Sequence, residues 1–142
     1  MSLLKKDEKT SPDMFAKLII EVLAGDDRVL FAFLYGSVVE EGQENDIDIA
    51  VYAVPETNYF KLSADLKVAL NKRIGLPPDV FDVRIINDLV EQGDLFGLLY
   101  LKNVLSSNRL LIDRNPEVRA EFLEQYGTRF RECEGLIQEV LS

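Results

Sequence analysis

The sequence contains no histidine. That absence removes Ser-His-Asp and Cys-His catalysis, histidine-based zinc sites and haem ligation by histidine. Any enzymology must come from carboxylates, hydroxyls, lysine, arginine and bound hard cations. Cysteine is almost as scarce: Cys133 stands alone, so neither an internal disulfide nor a cysteine-rich zinc site can form. Its place in a helical pattern gives it a packing role or none. Long apolar runs are also missing. No run approaches the ~18 residues that a membrane span needs, and the first residues lack the apolar core of a signal peptide, so a cytoplasmic location is expected. Basic residues are in deficit, 16 Lys and Arg against 25 Asp and Glu, for a net charge of −9. Neutralising phosphates requires a basic surface, so duplex nucleic acid is a poor main partner. The balance suits an acidic cleft that takes a metal, or a basic protein partner.

What is present describes a soluble globular protein. The chain has 142 residues, 47% hydrophobic and 29% charged, which is enough to bury a real core in one domain. Residues 1–10 are mostly polar and read as a flexible N-terminus, leaving 11–142 as a single domain. Ser11, Pro12 and Asp13 have the chemistry of a helix start, as N-cap, first helical residue and first-turn acid. Phe15, Leu18, Ile19, Val22 and Leu23 continue at helical spacing until Gly25. Val29 to Tyr35 is an uncharged, mostly apolar strand, and Asp46 to Tyr52 alternates as a second. Helical spacing resumes from about Asn58 to Arg73 and is stopped by Gly75 and Pro77-Pro78. Val80 to Ile86 forms a third strand, and Asn87 is placed to cap the next segment. Leu95 to Leu105 reads as a helix inside the fold, Arg109 to Ile112 as a short final strand, and Pro116 to Leu141 as one long amphipathic helix. Phe15, Phe31, Phe33, Phe60 and Phe96 are most simply core residues. The expected fold is a small mixed α/β (α+β) domain, a sheet with flanking helices.

Chemistry concentrates in the stretch FLYGSVVEEGQENDIDIAVY, Phe33 to Tyr52. It carries Glu40, Glu41, Glu44, Asp46 and Asp48, and residues 38–48 hold no lysine or arginine. Such a layout beside apolar strands is costly in repulsion and desolvation unless a cation visits it. Alternate strand residues share a face, so Asp46 and Asp48 point together with Cα atoms about 7 Å apart. Ile47, Ile49 and Val51 point the other way. A rigid pair of carboxylates offers hard oxygen ligands to Mg²⁺, which ordinarily takes one or two of them and fills its shell with water and phosphate oxygens. In VFDVRII, Asp82 points away from Phe81 and Val83. If its strand neighbours the second, its carboxylate converges on the pair and two metals become possible. Asp79 is a competitor that falls on the other face. Arg84 shares the face of Asp82 and can steady either a carboxylate or a phosphate. Gly36-Ser37 alone reads as a turn. Followed by Asp-x-Asp, its glycine gives close backbone approach and its serine a hydroxyl and an amide for a phosphate oxygen. A solvated acidic loop is the plainer account of these acids, but acids alternating within DIDIAV argue against it. Glu40, Glu41 and Glu44 read as solvated charges. An EF-hand loop does not fit, because the further ligands do not follow at its spacing.

This set of motifs resembles the polymerase-β-like nucleotidyltransferases. Gly-Ser, a short loop, Asp-x-Asp on a strand and a later single Asp on a neighbouring strand form that family's signature, carried here by YGSVVEEGQENDIDIAV and FDVRIIND. The likeness covers most of residues 12–113, and the size and leading helix are similar to the minimal, MNT-type branch. The resemblance implies that Gly36 and Ser37 hold a nucleoside triphosphate, ATP above all, and that Asp46 and Asp48 bind Mg²⁺. Asp82 would then join a second metal and help activate an acceptor hydroxyl. It implies a protein partner as well, because the branch includes antitoxins that neutralise HEPN-domain toxins by modifying a tyrosine. The rival account is a binding module of the same fold, weakly active or inactive, that masks a partner without chemistry. Transfer to a small molecule is a third option, with little room in the chain for a substrate-binding domain.

Overall fold

The computed structural model describes residues 12–35, 47–92, 94–107 and 109–141. In chain order its elements are α1 (Pro12–Ala24), β1 (Val29–Tyr35), β2 (Ile47–Ala53), α2 (Tyr59–Ile74), a 3-10 turn (Pro78–Val80), β3 (Phe81–Ile85), α3 (Leu89–Gln92), α4 (Leu95–Ser107), β4 (Leu110–Asp113), α5 (Pro116–Glu132) and α6 (Glu134–Leu141). The described strands lie in the order β3-β2-β1-β4. β1 runs antiparallel to β2 and β4, while β2 and β3 are parallel. The fold is the expected mixed sheet flanked by helices.

Helix ends follow local chemistry. The Asn58 side chain accepts a hydrogen bond from the Lys61 N–H at 3.0 Å to start α2, as an N-cap should. Gly75 stops α2 at φ 90, with its N–H donating to the Asn71 carbonyl, a left-handed conformation that costs glycine nothing. Asn115 caps α5 in the same way through the Val118 N–H.

Strand alternation builds a core on each side of the sheet. Leu34, Ile47, Ile49, Val51, Phe81 and Val83 pack against Ile19 and Leu23 of α1 and Leu62, Leu66, Leu70 and Ile74 of α2. On the opposite side, Phe31, Phe33 and Ala50 pack against Leu101 and Val104 of α4, Val90 of α3 and Phe122 of α5. Both faces are therefore covered, and Asp48 of β2 and Asp82 of β3, which are not buried, lie where that cover ends. β3 is an edge strand, and the Ser63 hydroxyl of α2 donates to its Val83 carbonyl at 2.8 Å, which occupies part of the free edge.

Four expectations are corrected. Residues 116–141 are two helices, because α5 ends at Cys133, whose carbonyl receives the Ile137 N–H at 3.0 Å; Ile137 of α6 is buried. Phe60 and Phe96 are 88% and 75% exposed rather than core. Asn87 does not cap a helix: its side chain accepts from the Ala53 N–H at 2.7 Å and donates to the Ala53 carbonyl at 2.8 Å. Strand and helix ends otherwise shift by a residue or two.

The turn after β2 holds a backbone cost. Thr57 N–H donates to the Val54 carbonyl at 3.2 Å, and Glu56 sits at φ 70, the position where a type II turn favours glycine. Glu56→Gly is expected to raise stability by about 0.5–1 kcal/mol, read from urea denaturation as a higher midpoint at unchanged slope.

Candidate active site

The parallel pairing of β2 with β3 sets Asp48 opposite Asp82 and Ala50 opposite Arg84. Register partners on neighbouring strands lie about 4.8 Å apart and share a face, so the two carboxylates stand side by side. Tyr35 pairs with Asp48 across β1. One row across the sheet is thus Tyr35, Asp48, Asp82, and the next is Phe33, Ala50, Arg84. Phe33 and Ala50 are buried beneath the helices, whereas Asp48 and Tyr35 are half-buried and Asp82 is exposed. The carboxylates occupy the rim of the second core. Asn87 supports this register from the far end of the strands by tying the end of β2 to the residues after β3, next to the Ile86 N–H bond to the Val51 carbonyl at 2.9 Å.

α4 brings a further side chain to this rim. The Tyr100 ring meets Tyr35 edge-on, with centroids 6.1 Å apart and planes at 76°. The Arg84 guanidinium carbon lies over the same ring, 4.3 Å from its centroid. Burial pushes the Tyr100 phenol above its ordinary range; Arg84 opposes this, and Asp82, Asp48 and Tyr35 each add to it. The phenol therefore keeps its proton at neutral pH, within electrostatic reach of both carboxylates.

The predicted site residues divide accordingly. Asp48 and Asp82 come together on one face, and Arg84 shares it. Asp79 is exposed on the 3-10 turn ahead of β3, off the strand. Gly36, Ser37 and Asp46 lie outside the described residues, as do Glu40, Glu41 and Glu44. Tyr100 was not singled out by sequence, although a lone phenol within the apolar run LFGLLYLKNV was its signal. Among the described residues no group of three His, Cys, Asp or Glu gathers into a metal site. The Asp48–Asp82 pair nevertheless fits Mg²⁺ chemically, because its donors are hard oxygens in the number that ion usually draws from protein.

Comparison with known proteins agrees with this fold. The sequence profile of the family described as "Polymerase beta, Nucleotidyltransferase" matches residues 17–117. That is more than half of the chain, and the chain belongs to this family. Among solved structures, a crystal structure of a mutant toxin–antitoxin MntA-HpeT superposes with a TM-score of 0.53 at 16% identity, over 89% of this chain and 98% of the matched one. A crystal structure of the toxin–antitoxin with AMP-PNP gives 0.50 at 17% identity, again over 89% and 98%. At such identities the likeness is one of fold. No curated protein is significantly similar to the chain. No helix among the described residues is long and apolar enough to cross a membrane.

Proposed function

We propose that this nucleotidyltransferase-family chain transfers AMP from ATP to a hydroxyl of a partner protein, a tyrosine of a HEPN-type toxin, and so acts as a cytoplasmic MNT-type antitoxin. The observation that carries the reading is the register pairing of Asp48 with Asp82 on one face of the sheet, with Asp82 exposed. The matched structures lend it support, since they come from toxin–antitoxin pairs, one of them with AMP-PNP.

On this reading, Asp48 and Asp82, with Asp46, would hold Mg²⁺, and Gly36 and Ser37 would take the triphosphate. When bound, the cation supplies charge compensation for the phosphates and acidifies the acceptor hydroxyl. The chain's own residues do the rest. Asp82 accepts the proton of the acceptor hydroxyl, whose oxygen forms a bond to the α-phosphorus. The bond from that phosphorus to the bridging oxygen breaks, and pyrophosphate departs with the electron pair. Productive attack needs the hydroxyl within about 3–3.5 Å of the α-phosphorus and in line with the leaving oxygen. Electrostatic attraction between the acidic chain, at net charge −9, and a basic partner favours that encounter.

Intact-mass spectrometry of the partner after co-expression tests the reading. The expected result is an adduct of one or more AMP units that disappears with Asp48→Asn. A partner that binds and is inhibited equally by wild type and Asp48→Asn, with no adduct, replaces the enzyme reading by a masking one.

A further inference from the structure

Arg84 is the single cation among the described strand residues. It stands two residues from Asp82 on the same face, with Cα atoms about 7 Å apart. An exposed arginine ordinarily samples many rotamers. This one lies 4.3 Å over the Tyr100 ring, a contact that attracts a guanidinium through the ring quadrupole. Tyr100 is in turn braced by Tyr35 at 6.1 Å and by its neighbour Leu101, fully buried in the second core. Ala50, the register partner of Arg84, presents only a methyl group between Phe33 and Arg84.

We infer that Tyr100 is a positioning residue, holding Arg84 as a standing counter-charge beside the Asp48–Asp82 carboxylates. The inference rests on the reading of that pair as a metal–nucleotide site. A fixed positive charge there relieves carboxylate repulsion in the free protein and repels a bare divalent cation. It attracts the same cation when it arrives with a triphosphate, because the complex is a net anion. The device therefore biases the site toward metal–nucleotide over metal alone. Loss of Arg84 should act in opposite directions on the two ligands, which a merely structural role would not produce.

The test titrates Mn²⁺ alone into the full chain, following the free-ion electron paramagnetic resonance signal, alongside thermal shifts with Mg²⁺-ATP. Arg84→Met is expected to bind Mn²⁺ about three- to tenfold more tightly than wild type, from the Coulomb term at this separation, and Tyr100→Leu, which keeps the charge but frees it, to move in the same direction by a smaller factor. Both should show a smaller Mg²⁺-ATP shift. Tyr100→Phe, which keeps the ring face, should match wild type in both measurements. Arg84 is exposed, so Arg84→Met reports even if Tyr100→Leu fails to fold. Unchanged or weaker Mn²⁺ binding by Arg84→Met, with wild type binding normally, overturns the inference, and so does wild-type Mn²⁺ binding by a folded Tyr100→Leu. No Mn²⁺ binding by wild type and Arg84→Met alike overturns the metal-site reading beneath it.

Discussion

Asp82→Asn is expected to lower nucleotidyl transfer by about 10²–10⁴-fold, the range for loss of a positioned general base, with the fold unchanged. Asp82 is exposed on an edge strand, and Asn keeps its shape, so packing gives no reason for a loss of structure. Its register partner Asp48 would also be relieved of a like charge, which favours stability slightly. The kinetic pattern discriminates further. Loss of a group that acts in the transition state lowers kcat and kcat/KM together, whereas loss of a simple binding contact raises KM alone. Steady-state rates with Mg²⁺-ATP, beside a urea denaturation of the variant, separate these outcomes. An active Asp82→Asn protein would remove Asp82 from the chemistry.

The second large effect is structural. Phe31→Ala is expected to destabilise the protein by about 3–5 kcal/mol. Phe31 is fully buried and stacks on Tyr52 with centroids 4.7 Å apart and planes at 11°. It also meets Phe33 at 6.0 Å and Phe122 at 5.8 Å. The ring therefore joins two strands to α5, and its removal leaves a cavity that three other rings cannot close. The melting temperature should fall by roughly 10 °C for a chain of this size. A drop of a degree or two would mean that α5 collapses into the space.

The contrast between Phe31 and Phe60 shows what the sequence made legible. The run Val29 to Tyr35 is uncharged, and its strand was readable to the residue. In α2, however, the buried positions are Leu62, Leu66, Leu70 and Ile74, a stripe with four-residue steps. Phe60 and Val68 each fall two residues from a member of that stripe, about 200° around the helix, and both are exposed. Phe96 lies two residues before buried Leu98 in the same way. Composition favoured these phenylalanines as core, but the phase of each stripe is set by the sheet it meets. The break at Cys133 had only a weak local signal, Gly135 two residues on and no proline.

The site was legible to a similar depth. Parity along DIDIAV and FDVRI placed Asp48 and Asp82 away from their apolar neighbours, and the register pairing sets the two on one face. Parity does not say which residue of β3 stands opposite Asp48, since that depends on the crossover through α2. Nor does a sequence pattern bring Tyr100 of α4 over Arg84 of β3. That contact needs the tertiary placement of a helix, and the small Ala50 beside it acquires a purpose only once the register is known.

The proposed role of the Asp48–Asp82 pair is nucleotidyl transfer to a protein. Its most direct test is incubation of the chain with α-phosphate-labelled ATP, Mg²⁺ and the product of the adjacent gene, with the proteins then separated. Label is expected on the partner with wild type, with none in the absence of Mg²⁺ and none with Asp82→Asn. Label that persists at the wild-type level with Asp82→Asn, or a partner that is bound and inhibited while remaining unlabelled, would contradict it.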